Sequence, residues 1–482
     1  MSTAPMSNID PDAIVDQLEQ RHATALAALR GAVAGWLRDG TMPAPEMRVN
    51  GAFTYPELRV TVAGSPAPLG RRRADRKLVT PGEYRISITR PALFRRYLVE
   101  QLKALAHDHA ISVEVGQSSA EIPFPYAIDG LDLADTRFAE LAMFLPTTEL
   151  ALVGDEVSDG VWRGGSEGRP LAHFDALRTD FSLARLRHYT GTPPEHFQRY
   201  VLFTNYHRYV DAFAAWAGEQ LSGDSRYTAF SAAGGAWHER GDAHAGEVAG
   251  DAWRRHQMPA YHLIAPDGEG ITLVNIGVGP SNAKTLTDHL AVLRPEAWVM
   301  IGHCGGLRAS QIIGDYVLAH AYLRDDHVLD DILAPEIPVP PIAEVQQALH
   351  RATEIVTGED AVGVRDRLRT GTVVTVDDRN WELRYTEYAL RFNQSRAVAV
   401  DMESATIATQ GQRFRVPHGT LLCVSDKPLH GEIKLPNQAN RFYERAIREH
   451  IAIGIETVSQ LREVGGRLHS RKLRAFDEPP FR

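Results

Sequence analysis

Near the start of the chain, apolar residues recur at helical spacing: Ile14, Leu18, Leu26, Leu29, Val33 and Trp36 fall on one face. Asp10 stands at the N-cap position, Pro11 in the first turn and Gly40 just past the end, so the pattern predicts one long capped helix. Residues 53–62 and 84–89 read as strands, 91–106 return to helical spacing, and 111–115 read as a short strand. Short strands mixed with helices predict an α+β domain here.

From about residue 171 the pattern changes. Short apolar runs at 200–203, 227–231, 271–276, 297–301, 315–321, 371–376, 397–400 and 420–424 alternate with helical stretches at 281–293, 342–356, 404–410 and 438–461. This alternation predicts an α/β layered fold around a largely parallel sheet, which collects ligands at the C-terminal ends of its strands. The stretch 154–168 is rich in glycine, serine and acid and marks a boundary, giving domains 1–170 and 171–482. A second irregular stretch, 234–250, reads as an insertion in the later domain.

Composition narrows the classes. At 482 residues the chain is too long for one core, which agrees with two domains. A net charge of −9 argues against nucleic-acid binding, which needs a basic surface, yet one or two local cations suffice for a small phosphate. Cys304 and Cys423 are the two cysteines, too few for a disulfide framework or a cysteine-only zinc site and suited to a reducing compartment. With no signal pattern in residues 1–11 and no long apolar span, the expected location is cytoplasmic, without membrane contact.

Three strands run out into unusual text: Gly277-Val278-Gly279-Pro280-Ser281, Gly302-His303-Cys304-Gly305-Gly306 and Ser425-Asp426-Lys427-Pro428. A fourth is followed by Asp401-Met402-Glu403-Ser404. The first is not a phosphate loop, because Ala283 stands where that motif needs the glycine before its lysine; nor is it a dinucleotide fingerprint, because Asn282 replaces the third glycine. It reads instead as a tight turn that lets a ligand approach the backbone. The second has nucleophile-elbow spacing around Cys304, but a strand rather than a helix follows soon after. Cys304 is either the nucleophile of a cysteine-dependent amidohydrolase or a buried thiol beside a glycine turn.

Acids at strand ends carry more. Asp426 closes the apolar run Leu421-Leu422-Cys423-Val424, where a carboxyl is costly unless hydrogen-bonded or functional. Burial raises a carboxyl pKa toward what a general acid needs, although an N-cap or structural acceptor fits the position too. Glu403 is placed either to accept hydrogen bonds from two adjacent hydroxyls or to serve as a first-turn acid favoured by the helix dipole.

Together these segments resemble the catalytic domain of the nucleoside phosphorylase superfamily, a three-layer α/β/α fold shared by hexameric purine nucleoside phosphorylases and nucleosidases. The family's V-x-M-E text is matched by Val400-Asp401-Met402-Glu403 and its serine-aspartate pair by Ser425-Asp426. By resemblance, Met402 packs on the ribose and Glu403 accepts its 2′ and 3′ hydroxyls. Ser425 contacts the purine, Asp426 protonates it as it departs, and Val278 and Gly279 belong to the glycine-rich sugar site. Longer strings are similar to the AMP nucleosidase family within that superfamily: HFDALRTDFSLARLRHYTGT from His173, GHCGGL from Gly302, SDKPLHGEIKLP from Ser425, TRPALFRRYLVEQL from Thr89 and EIPFPYAIDG from Glu121. The last two lie in the domain that plain phosphorylases lack. This resemblance implies hydrolysis of AMP to adenine and ribose 5-phosphate with no cofactor or metal in the chemistry. It also implies activation by MgATP, inhibition by phosphate, a homohexamer, and a regulatory role for domain 1–170.

One departure from the superfamily is informative. Phosphorylases keep an arginine before the glycine-rich turn to hold inorganic phosphate, whereas Val299-Met300-Ile301-Gly302-His303 has no cation at that place. Water then becomes the natural nucleophile, which favours hydrolysis over the alternative of a purine nucleoside phosphorylase. Arg208 falls where phosphorylases keep another phosphate-binding arginine. Trp381, after the strand at 371–376, either stacks on adenine or fills the core.

Overall fold

The computed structural model describes residues 9–62, 80–128, 135–162, 168–242, 252–433, 440–465, 468, 473–475 and 478–482. The chain divides into two compact units, Met1–Ala184 with Arg474–Arg482, and Arg185–Leu473.

In the first unit the long helix spans Pro11–Asp39. The Asp10 side chain accepts from the N–H groups of Asp12 and Ala13, and Gly40 ends the helix at φ 75°, as the sequence pattern requires. Beside it lies a sheet of β1 (Thr54–Val62), β2 (Gly82–Ser87), β3 (Ile111–Glu121) and β4 (Arg169–Pro170), in the order β3-β1-β2-β4. Strand β3 is longer than the expected 111–115. Its second half is polar because it lies on a sheet edge, and Gln117 and Glu121 pair through their backbones with Pro56 and Thr54 across a register shift.

The second unit holds one ten-stranded sheet. Its strands are β5 (Tyr200–Thr204), β6 (Ala229–Ala232), β7 (Ala236–Glu239), β8 (Ala260–Ile264), β9 (Ile271–Asn275), β10 (Ala297–Gly306), β11 (Tyr316–Asp325), β12 (Leu368–Val376), β13 (Ala399–Asp401) and β14 (His418–Asp426). Their order is β13-β12-β11-β14-β10-β5-β9-β8-β6-β7, and β13 also pairs with β10. Tyr200, Leu202, Val299, Ile301 and Leu421 join a core with helices Arg208–Ser222, Ala343–Thr357 and Asn440–Val464. Alternation turns Val201, Phe203, Trp298 and Met300 to the other face, where helices Pro280–Leu290 and Ser404–Phe414 pack on each other. With both faces covered, the central strands read as continuous apolar runs.

The sheet is mixed, not largely parallel as the alternation predicts. β9, β5, β10 and β14 run parallel, as do β11, β12 and β13, but β11 opposes β14 and the edge β9-β8-β6-β7 is antiparallel throughout. The connection 265–270 between β8 and β9 is too short for a crossover helix and forces a hairpin. β8 escapes sequence detection because His262 breaks its apolar run. The buried imidazole is satisfied at 2.9 Å from both Thr272 Oγ1 and Thr192 Oγ1. In the expected insertion 234–250, Gly234 and Gly235, both at φ 90°, turn β6 into β7; residues 243–250 lie outside the described residues. Among the described residues no helix is long and apolar enough to cross a membrane.

Candidate active site

The parallel strands β9, β5, β10 and β14 end side by side; Gly279 follows β9, Asn205 follows β5, Ser425-Asp426 close β14, and Met402-Glu403 follow β13. Gly305 of β10 pairs with Asp426 of β14 on one side and with Val400 of β13 on the other. That double pairing brings Met402-Glu403 and Ser425-Asp426 to one edge of the sheet. Gly305 is closely packed here: a Cβ on it comes 3.1 Å from Val400 Cγ1.

Glu403 is wholly buried, and each of its oxygens has a protein donor. Oε2 accepts from Asn205 Nδ2 at 2.9 Å, and Oε1 accepts from the Gly279 N–H at 2.6 Å. Asn205 Oδ1 in turn accepts from the His303 N–H at 3.3 Å, so the ends of β5, β9 and β10 all bear on this carboxylate. Glu403 makes no capping bond to the helix Ser404–Phe414 that it precedes. Asp401 caps that helix instead. Its Oδ2 accepts from the Ser404 N–H at 3.0 Å and from the Ser404 hydroxyl, while Oδ1 accepts from Thr375 Oγ1 at 2.6 Å. The capping role therefore falls to Asp401, and the Glu403 carboxyl is turned to Asn205 and Gly279 instead. Burial, then the Asp401 charge, push the Glu403 carboxyl up to about 8, against the pull of the Gly279 and Asn205 donors. Burial lifts Asp401 to about 6 despite its Ser404 and Thr375 bonds.

The glycine turn aims one of those donors. Gly279 sits at φ 120° and ψ 150°, a conformation reserved for glycine. A Cβ there meets nothing within 4 Å, so backbone shape rather than crowding demands glycine. Val278 beside it is exposed. Helix Pro280–Leu290 starts here, and its positive end favours the ionised form of Glu403.

Ser425 is buried, with its hydroxyl 2.6 Å from Asp426 Oδ1 and 3.2 Å from the Cys304 carbonyl; Asp426 is half-buried. Met402 packs against an apolar cluster containing Leu307, Val374, Trp381, Tyr388 and Phe392. Trp381 is buried within it, its ring centroid 5.1 Å from Phe392 and 6.0 Å from Tyr388, so it takes the core position of its two expected places. Arg208 begins the helix beyond Asn205, its guanidinium 5.9 Å from the Tyr206 ring centroid. Cys304 lies inside β10, which continues to Gly306, so the strand-to-helix turn of a nucleophile elbow is absent there. Burial pushes the Cys423 thiol up to about 12.

Asn205, Asp401 and Thr375 escape the sequence reading as site residues. The polar pair Thr204-Asn205 after the apolar run 200–203 is the local signal at Asn205.

Comparison with known proteins finds matches to both halves of the chain. The family described as Bacterial AMP nucleoside phosphorylase N-terminus matches residues 13–169, and the Phosphorylase superfamily matches residues 245–459. The AMP nucleosidase of Escherichia coli (strain K12) is 60% identical over 480 residues, covering 99% of each chain. The guanosine phosphorylase of Halorubrum lacusprofundi is 26% identical over 38% of this chain and 74% of its own. The crystal structure of AMP nucleosidase from Bacteroides thetaiotaomicron matches 59% of this chain and 98% of that one at 28% identity, with a TM-score of 0.43. Identity at the Escherichia coli level over both full lengths establishes that the chain belongs to the AMP nucleosidase family.

Proposed function

We propose that this site hydrolyses the N-glycosidic bond of AMP, giving adenine and ribose 5-phosphate. The observation that carries the reading is the 60% identity to an AMP nucleosidase over 99% of both chains, since it spans both domains and not the phosphorylase-like half alone. The site supplies matching chemistry. An ionised carboxylate has about four acceptor positions, and Glu403 uses one on each oxygen within the protein. The lone pairs that remain suit the vicinal 2′ and 3′ hydroxyls of a ribose.

Cleavage passes through an oxocarbenium-like state, as in other glycoside hydrolyses, and the purine leaves readily only if its ring gains a proton. Asp426 donates that proton, oriented by the Ser425 hydroxyl at 2.6 Å. Water adds to the sugar carbon, because residues 299–303 of β10 offer no arginine or lysine to hold phosphate there.

The same reading places the chain in the cytoplasm, where Cys304 and Cys423, neither in a disulfide, are at home. It makes the assembly a homohexamer, with MgATP as activator and phosphate as inhibitor acting through domain 1–170. Coupling of that kind is commonly worth about 1–3 kcal/mol. Separate incubation with AMP, adenosine and ATP, following free adenine, tests the substrate; adenine should come from AMP. Faster release from adenosine overturns the nucleotide assignment, and an AMP rate indifferent to MgATP overturns the regulatory one.

A further inference from the structure

We propose that Asn205 is a positioning residue for Glu403, fixing the direction in which that carboxylate meets the ribose hydroxyls. The inference rests on the ribose-binding reading of Glu403 and adds a residue to which that reading gives no role. The amide has one workable orientation. Nδ2 donates to Glu403 Oε2 at 2.9 Å while Oδ1 accepts from the His303 N–H at 3.3 Å, and a flip sets oxygen against carboxylate and amine against N–H. The backbone of β10 therefore dictates which end of Asn205 faces Glu403.

A second observation agrees. A Cβ on Gly302 comes 2.7 Å from Asn205 Oδ1, so glycine at 302 is what lets the amide approach the strand. The Gly279 N–H holds the other carboxylate oxygen at 2.6 Å. With one donor on each oxygen, the carboxylate plane cannot rotate without breaking a bond. Rigid placement of an acceptor pair is how a site distinguishes a diol from a single hydroxyl.

Asp401, on the same segment, raises the affinity of Glu403 for a proton; the Asn205 amide just after β5, the Gly279 N–H in the turn after β9 and the Met402 backbone are uncharged groups that lower it. Loss of the Asn205 donor thus favours the protonated form, which cannot accept two hydroxyls as well.

Asn205→Asp keeps an oxygen for the His303 N–H, removes the donor and sets a second carboxylate beside Glu403. Asn205→Ser shortens the side chain without adding charge. In both, the rise of kcat/KM for AMP with pH should move to higher pH, by about one unit in Asn205→Asp. The preference for AMP over 2′-deoxy-AMP should fall about tenfold, the loss of one charge-assisted hydrogen bond. A merely structural role lowers the active fraction, and hence kcat, without moving either the pH limb or the substrate ratio. Glu403→Gln is run alongside. If its AMP to 2′-deoxy-AMP ratio equals wild type, the ribose reading fails and this inference with it. If that ratio changes while both Asn205 variants keep the wild-type limb and ratio, the positioning role alone is overturned.

Discussion

Asp426→Asn should lower kcat for AMP hydrolysis by about 10²- to 10⁴-fold, the usual worth of general acid catalysis, and leave AMP affinity nearly unchanged. The side chain sits at the end of β14, half-buried, with the Ser425 hydroxyl 2.6 Å from Oδ1. An asparagine of the same shape still accepts that hydrogen bond at its oxygen. What it lacks is a proton to transfer to the leaving purine, so the loss falls on the chemical step. Steady-state kcat together with a direct binding measurement separates the two. A variant that retains more than about a tenth of wild-type kcat removes Asp426 from the role of acid.

The second large effect is expected at Glu403. Glu403→Gln should reduce the preference for AMP over 2′-deoxy-AMP by roughly the 1.5–3 kcal/mol of a charge-assisted hydrogen bond, tenfold or more. The glutamine also meets two donors, Asn205 Nδ2 and the Gly279 N–H, and its own amide nitrogen must confront one of them. A pH signature accompanies the change. Because the folded state raises Glu403 from 4.5 to about 8, its contribution to stability is full below 4.5 and is lost as pH rises toward 8. Wild type should therefore lose stability relative to Glu403→Gln between pH 5 and 8, which urea melts at the two ends measure. An unchanged substrate ratio removes Glu403 from the ribose site, and a pH-independent stability difference contradicts its burial as an acid.

Much of this architecture is legible in local pattern. The Asp10 cap, Pro11 and Gly40 bound the first helix because capping is short-range chemistry. The strand ends carrying Gly279, Glu403 and Asp426 stand out because glycine and acid interrupt apolar runs at the place where α/β sheets bind ligands. The rest depends on contacts between distant segments. The antiparallel edge follows from a short hairpin joining β8 to β9, and β8 itself is hidden by a histidine that two threonines satisfy. Asp401 caps the helix while Glu403 turns to Asn205 and Gly279, a division of labour between two nearby acids that spacing alone leaves open. Trp381 shows the converse: an aromatic after a strand reads as a stacking residue or as core filler until Phe392 and Tyr388 are seen around it.

The most direct test of the whole account is product formation from AMP in phosphate-free buffer. Adenine and ribose 5-phosphate should appear one for one, and added phosphate should leave turnover unchanged or slow it. Turnover that is absent without phosphate, rises with its concentration and yields a sugar 1-phosphate contradicts hydrolysis at this site.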